Sequence, residues 1–254
     1  MTKIEIGFAK FRNHLNAIFP NKKKRLFSSA IITAAGSGRR MGGVSKQLLM
    51  IGNKPCVLHS LLAFQNCDEI DEIIIVAKIN EIAIMENICR ENGISKLKAV
   101  VSGGDTRQES VSNGFSAVSK KSDLVAIHDG ARPLIQSHHI TQLLNEARQY
   151  GASCAAKKMS DTVKRVREDG FILDTVPRED LFTVQTPQVF KTDLYRVALA
   201  LAQKDGISVT DDCALAEHAG FSVKLCDLAM LNLKITTESD VSLANLLIGE
   251  KEHA

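Results

Sequence analysis

A chain of 254 residues, 44% hydrophobic and 24% charged, can bury one sizeable core without a second domain, and no apolar run approaches the roughly 18 residues that a membrane-spanning helix needs. The net charge of +3 hides an asymmetry, because residues 1–67 hold eleven Lys/Arg against the single acid Glu5, so polyanion binding is expected near the start of the chain. Ten Phe and two Tyr occur without the basic-aromatic interleaving of nucleic-acid surfaces; six scattered cysteines with no C-x-x-C pair and no secretory signal ahead of them point to buried thiols in a reduced, cytoplasmic setting.

Residues 1–28 read as a basic extension. Phe8, Phe11, Leu15 and Ile18 recur at helical spacing, Pro20 ends the pattern, and Lys22, Lys23, Lys24 and Arg25 follow. A helix packed on its own domain or a partner, an unstructured start, and a membrane-surface or targeting segment are all compatible with these letters. Residues 29–254 read as one domain. Short β-rich runs at 30–34, 72–77, 97–101 and 124–128 alternate with helix-length stretches near 55–66, 80–92, 107–119 and 137–150. That rhythm predicts an α/β fold with a mostly parallel twisted sheet and helices on both faces. Ligands of such sheets bind beyond the carboxyl ends of the strands, where the sequence places Gly36-Ser37-Gly38-Arg39-Arg40, Gly103-Gly104-Asp105 and Asp129-Gly130-Ala131-Arg132-Pro133. Over about 160–186 the alternation breaks. Val163-Lys164-Arg165-Val166, a turn at Glu168-Asp169-Gly170 and Phe171-Ile172-Leu173 predict a projecting β-hairpin arm, and a long arm is expected to pack on a second copy as a homodimer.

The first strand runs into Ala34-Ala35-Gly36-Ser37-Gly38-Arg39-Arg40-Met41-Gly42-Gly43-Val44-Ser45-Lys46-Gln47. Small residues let backbone N–H groups approach phosphate oxygens, and Arg40 and Lys46 add cationic donors, which makes the segment a candidate triphosphate cradle. It is not a P-loop, since Lys46 follows Ser45 and precedes Gln47. Nor is it a dinucleotide fingerprint, because Met41 stands at the third small position and the next acid is Asp68. A plain structural turn is the competing reading.

The pattern A-A-G-x-G-x-R-M-G followed by S-K-Q resembles the start of nucleotidyltransferases with a Rossmann-like fold. With Gly103-Gly104-Asp105-Thr106-Arg107-Gln108-Glu109-Ser110-Val111, His128-Asp129-Gly130-Ala131-Arg132-Pro133, Asp161-Thr162-Val163-Lys164, Thr186-Pro187-Gln188 and Thr210-Asp211-Asp212, the chain from about Ala30 to Leu247 is similar to the 2-C-methyl-D-erythritol 4-phosphate cytidylyltransferase family. The resemblance implies transfer of a cytidylyl group from CTP to the sugar-alcohol phosphate, with pyrophosphate leaving. It also implies one magnesium ion, bound mainly through the CTP phosphates and without a firm protein ligand. It places Ala34, Ala35, Gly36, Ser37, Gly38, Gly103, Gly104, Asp105 and Ser110 at the nucleotide, and Asp129, Gly130, Arg132, Thr162 and Thr186 at the acceptor. Arg40 and Lys46 are implied as transition-state cations, Arg178 and Lys234 as groups that orient the attacking phosphate. Ribitol-5-phosphate cytidylyltransferase is the nearest enzyme alternative, and a non-catalytic nucleotide-binding regulator is the alternative of another class. Asp211 reads as a helix N-cap. His128, His138, His139 and His218 read as core or solvated side chains, because an ionised phosphate needs no base. Without the resemblance, Lys234 would read as a surface lysine on a strand.

Overall fold

The structure, a computed structural model, describes residues 25–36 and 45–252. The extension 1–24, the loop residues Ser37, Gly38 and Arg40, and the expectations attached to them lie outside the described residues. In chain order come β1 (Ser28–Thr33), β2 (Met50–Ile51), β3 (Lys54–Pro55), α1 (Cys56–Gln65), β4 (Glu72–Ala77), α2 (Ile82–Glu91), β5 (Leu97–Ser102), α3 (Arg107–Ser116), β6 (Leu124–Asp129), α4 (Ser137–Tyr150) and β7 (Ala152–Lys158). They are followed by β8 (Val163–Val166), β9 (Ile172–Val176), β10 (Phe182–Lys191), α5 (Thr192–Lys204), α6 (Asp212–His218), β11 (Lys224–Asp227) and α7 (Glu238–Glu252).

Seven strands form one sheet in the order β11-β7-β10-β6-β1-β4-β5. β1 pairs in parallel with both β4 and β6, β4 with β5, and β11 with β7, whereas β10 runs antiparallel to β6 and β7. Every residue of β4 and β6 is buried, as expected for central strands covered on both faces. Alternation along β1 assigns the two faces. Ala30 and Ile32 pack with Leu58, Leu61 and Phe64 of α1, Met85 of α2 and Leu143 of α4, while Ile31 packs with Val111 and Phe115 of α3, Tyr195 of α5 and Leu215 of α6. A smaller cluster of Ile51, Cys56, Leu134, Ile235, Ala244 and Ile248 seats α7. The mostly parallel sheet with helices on both faces matches the fold the alternation predicts.

The hairpin pairs β8 with β9 around the turn at Glu168-Asp169-Gly170, where Gly170 adopts a φ of +85° that side-chain-bearing residues disfavour. The arm expected over 160–186 is shorter than that span. Phe182, Thr183 and Val184 pair with Lys158, Lys157 and Ala156 in the main sheet, because the antiparallel β7 and β10 run on together past the neighbouring strands before the hairpin begins. Segment 232–236, a strand in the unaided reading, is loop; Ile235 N–H donates to the Ala131 carbonyl at 2.8 Å, and no ladder forms. Asp211 is the N-cap of α6, accepting from the Ala214 N–H at 3.2 Å. All six cysteines are buried free thiols, and no helix among the described residues is long and apolar enough to cross a membrane.

Helix α3 lies unusually close to the sheet. A Cβ at Gly114 would fall 2.7 Å from Val76 Cγ2 and 2.8 Å from Ile31 Cγ2, and the β-branched side chains of two central strands have nowhere to retreat. Gly114→Val is therefore expected to destabilise the protein by about 2 kcal/mol or more, read as a lower urea midpoint; an unchanged midpoint would show that the helix can lift off without cost.

Candidate active site

The chemistry-bearing residues gather at the carboxyl ends of β1, β5 and β6, where a parallel sheet brings separate loops to one edge. At the end of β1, Ala34 N–H donates to the Val76 carbonyl at 2.6 Å, which fixes the exit of the glycine loop. The far end of that loop returns beside it, since a Cβ at Gly36 would touch the side chain of buried Gln47 at 3.4 Å. Gln47 and Lys46 share a short 3-10 turn, Lys46–Leu48. Ser45 Oγ lies 3.0 Å from Glu81 Oε2, and Glu81 also pairs with Lys78 at 3.3 Å.

The loop after β5 closes on the same place. Gly103 N–H donates to the Ala77 carbonyl at 2.8 Å, and a Cβ at Gly103 would lie 2.5 Å from the Ala35 Cβ and 2.9 Å from Ser110 Oγ. Only glycine permits this approach. Gly104 N–H donates to Ser110 Oγ at 3.1 Å, and Asp105 N–H to Glu109 Oε2 at 2.8 Å. Thr106 and Glu109 complete a capping box at the start of α3. Ala35, Gly103, Gly104 and Ser110 are thus one packed unit, while the Asp105 side chain is exposed.

The second group surrounds Asp129, the last residue of β6, which is 7% exposed. Lys234 Nζ lies 2.6 Å from Asp129 Oδ2, Arg132 Nε 3.8 Å from the same oxygen, and Arg107 Nε 3.8 Å from Oδ1. Burial by itself would push the Asp129 carboxyl up, but Lys234, Arg107 and Arg132 outweigh it and hold the group well below the usual carboxylate range. Asp129 N–H donates to Thr186 Oγ1 at 3.0 Å. Gly130 follows, where a Cβ would press at 3.2 Å on both the Thr33 carbonyl and Val57.

Several residues of this cluster escaped the sequence reading. Arg107 NH2 pairs with Asp212 Oδ2 at 2.7 Å. Asn232 donates from Nδ2 to the Thr186 carbonyl at 2.7 Å, and its own carbonyl accepts from Arg132 NH1 at 2.6 Å, which ties the loop carrying Lys234 to β10. His128 Nε2 lies 3.4 Å from the Arg132 carbonyl. That oxygen only accepts, so Nε2 carries the proton and Nδ1 accepts from the Thr186 hydroxyl at 3.2 Å. Arg107 and Asp212 stood inside recognisable blocks, but 105 positions separate them and nothing local signals their pairing. Arg178 and Thr162 stand apart: both are exposed on the arm, and Arg178 bonds the Ser160 carbonyl. Among the described residues no ion pair or hydrogen bond joins Arg178 or Thr162 to the Asp129 cluster.

His128 is fully buried. Burial, aided by Arg132 and opposed by Asp129, lowers its pKa to about 3. A neutral histidine held in this way contributes its full stability above its unfolded pKa near 6.5, and the contribution is lost as pH falls from there toward the folded value. Asp129, also depressed, adds its loss only below its unfolded value near 4. Unfolding free energy is therefore expected to fall by about 2 kcal/mol between pH 7 and pH 5 in urea titrations, and a flat profile would mean that His128 is not held neutral.

With the geometry in view, likeness to known proteins becomes informative. The family described as IspD, 2-C-methyl-D-erythritol 4-phosphate cytidylyltransferase, matches residues 28–250. A protein of that name from Clostridium novyi is 42% identical over 221 residues, 86% of this chain and 95% of the relative. One from Desulforamulus reducens is 42% identical over 228 residues, 87% and 96% respectively. The crystal structure of 4-diphosphocytidyl-2C-methyl-D-erythritol synthase from Anaerococcus prevotii superposes with a TM-score of 0.79 at 32% identity, covering 89% of this chain and all of that one. The match takes in both the Gly103 unit and the Asp129 cluster, so this chain belongs to the 2-C-methyl-D-erythritol 4-phosphate cytidylyltransferase family.

Proposed function

We propose that the protein transfers a cytidylyl group from CTP to 2-C-methyl-D-erythritol 4-phosphate, giving 4-diphosphocytidyl-2-C-methyl-D-erythritol and pyrophosphate. Family membership supports this reaction. The observation that carries it in the geometry is the 2.6 Å contact of Lys234 with Asp129, together with a loop packed so closely that a Cβ at Gly103 would stand 2.5 Å from the Ala35 Cβ. An oxygen of the acceptor phosphate attacks the α-phosphorus of CTP; that P–O bond forms as the bond to the β-phosphate oxygen breaks, and the electron pair leaves with pyrophosphate. Both reactants are anions, so the protein's task is to suppress repulsion, align them, and stabilise charge on the crowded phosphorus.

Arg40 and Lys46, at the glycine loop, serve the triphosphate and the transition state in this reading. Ala34, Ala35, Gly36, Ser37, Gly38, Gly103, Gly104, Asp105 and Ser110 serve the nucleotide. Arg132 and Lys234 face the acceptor phosphate, with Asp129 and Thr186 as partners for acceptor hydroxyls. The Lys234 side chain is 40% exposed while Asp129 holds one side of its ammonium, which leaves it donors for a phosphate. The magnesium ion belongs with the CTP phosphates. Among the described residues no group of three His, Cys, Asp or Glu could cage a metal, and the Asp129 oxygens face cations. When bound, the ion neutralises phosphate charge. We place the reaction in the cytoplasm, without nucleic-acid partners.

The arm supplies the quaternary part of the proposal. Phe171, Ile172, Leu173 and Val166 are all more than half exposed, a strip that a second copy would cover. Arg178 and Thr162, joined to Asp129 by no hydrogen bond or ion pair among the described residues, would complete the partner's acceptor site.

Purified protein is expected to release pyrophosphate from CTP, but not from ATP, GTP or UTP, when supplied with magnesium and 2-C-methyl-D-erythritol 4-phosphate; turnover with ribitol 5-phosphate in its place would reassign the acceptor. Lys234→Met should lower kcat on the order of 100-fold, and Lys46→Ala more than tenfold, in the same assay. Mixing inactive Lys234→Met with inactive Arg178→Ala should restore up to about a quarter of wild-type activity, because one site of each mixed dimer is intact; no recovery after subunit exchange argues that the arm serves its own chain.

A further inference from the structure

Two of the cavities among the described residues are lined by residues outside the Asp129 cluster. One is lined by Lys54, His59, Asn66, Gln136 and His138, the other by Thr106, Gln108, Glu109, Asn113 and Gln203, and neither presents a group that calls for a ligand. The ion pair of half-buried Arg107 with buried Asp212 does present an unexplained design. Asp212 is 1% exposed, and both its carboxylate oxygens and its N–H are hydrogen-bonded. Oδ1 accepts from the Tyr195 hydroxyl at 2.7 Å and Oδ2 from Arg107 NH2 at 2.7 Å, while its N–H donates to Gln188 Oε1 at 2.9 Å. Tyr195 and Gln188 are themselves buried. A carboxylate this deeply buried is out of a substrate's reach, so its effect on the reaction passes through Arg107.

The distances show what that effect is. Arg107 sits 2.7 Å from Asp212 but 3.8 Å from Asp129, whereas Lys234 sits 2.6 Å from Asp129. Arg107 faces Oδ1 of Asp129 and Lys234 faces Oδ2, so a guanidinium drawn fully onto Asp129 takes up charge that otherwise holds the ammonium, and a partly buried guanidinium without a close counter-ion is costly. We propose that Asp212, braced by Tyr195, is a positioning residue that draws Arg107 away from Asp129 and so reserves Asp129 for Lys234. Without the Asp212 charge, Arg107 turns to the next carboxylate, Asp129, and loosens that carboxylate's hold on the ammonium that faces the acceptor phosphate. Arg107 also opens α3 directly after the Gly103–Thr106 loop, but the capping box and the Ser110 contact hold that loop independently. The defect therefore falls on the acceptor and not on the nucleotide. This inference rests on the reaction proposed above.

Steady-state kinetics with CTP and 2-C-methyl-D-erythritol 4-phosphate test it. Asp212→Asn should lower kcat/KM for the acceptor about tenfold and leave KM for CTP within about twofold. Combining it with Arg107→Met removes the competing cation and should recover at least about threefold of that loss, a rescue that a purely structural role of Asp212 would not produce. Should Asp212→Asn not fold, Tyr195→Phe keeps the ion pair and removes only its brace; a loss of about two- to threefold confined to the acceptor is then expected. Equal losses for both substrates, or a double variant no better than the single one, overturns the proposal. Wild-type protein assayed alongside separates the two failures. No turnover by wild type sinks the functional reading together with this inference, whereas normal wild-type turnover beside an unimpaired Asp212→Asn, or beside an unimpaired Tyr195→Phe if Asp212→Asn does not fold, sinks the inference alone.

Discussion

A single buried carboxylate holds together the cation cluster at the end of the central strands. Asp129 ends a strand that is buried along its whole length, where a lone negative charge would normally take up a proton. Lys234, Arg107 and Arg132 prevent that, and the dependence is mutual, since without Asp129 those cations would repel one another across a small space. The cluster is a charge lattice in which Lys234, Arg107 and Arg132 surround Asp129, with Lys234 its most exposed member.

The lattice draws on parts of the fold with little else in common. Asp129 comes from β6, Arg132 from the turn after it, Arg107 from the start of α3, and Lys234 from a loop near the end of the chain. The reversed strand β10 is the piece that joins them. It brings Thr186 against the Asp129 N–H and the His128 ring, and its Thr186 carbonyl holds Asn232, whose own carbonyl receives Arg132. Around Gly103 the constraint is steric. Gly103 and Ala35 meet so closely that no larger residue fits at position 103, and this joins the loops after β1 and β5 into one wall.

Stability and function overlap at His128. Its neutral ring lies beneath the site, receives the Thr186 hydroxyl and sits 5.3 Å from the Phe64 ring, so it belongs to the core while it orients a residue assigned to the acceptor. The sequence reading of this histidine as a core side chain fits that position; its proton placement follows only from its neighbours.

The sequence by itself determined the strands β1, β4, β5 and β6 to within a residue or two, the helices between them, the Asp-Gly turn of the arm and the cap at Asp211, because each depends on periodicity or on contacts a few residues away. Its motifs also named Asp129, Arg132, Thr186 and Lys234, through resemblance. Tertiary structure decided which of these meet, that Arg107 and Asp212 join them, and where the arm gives way to the sheet. The physical reason is distance along the chain. Lys234 and Asp129 are 105 positions apart, as are Arg107 and Asp212, and an attraction between such residues leaves no periodic mark in either segment. Only the order in which the strands are laid side by side brings them within a hydrogen bond of each other.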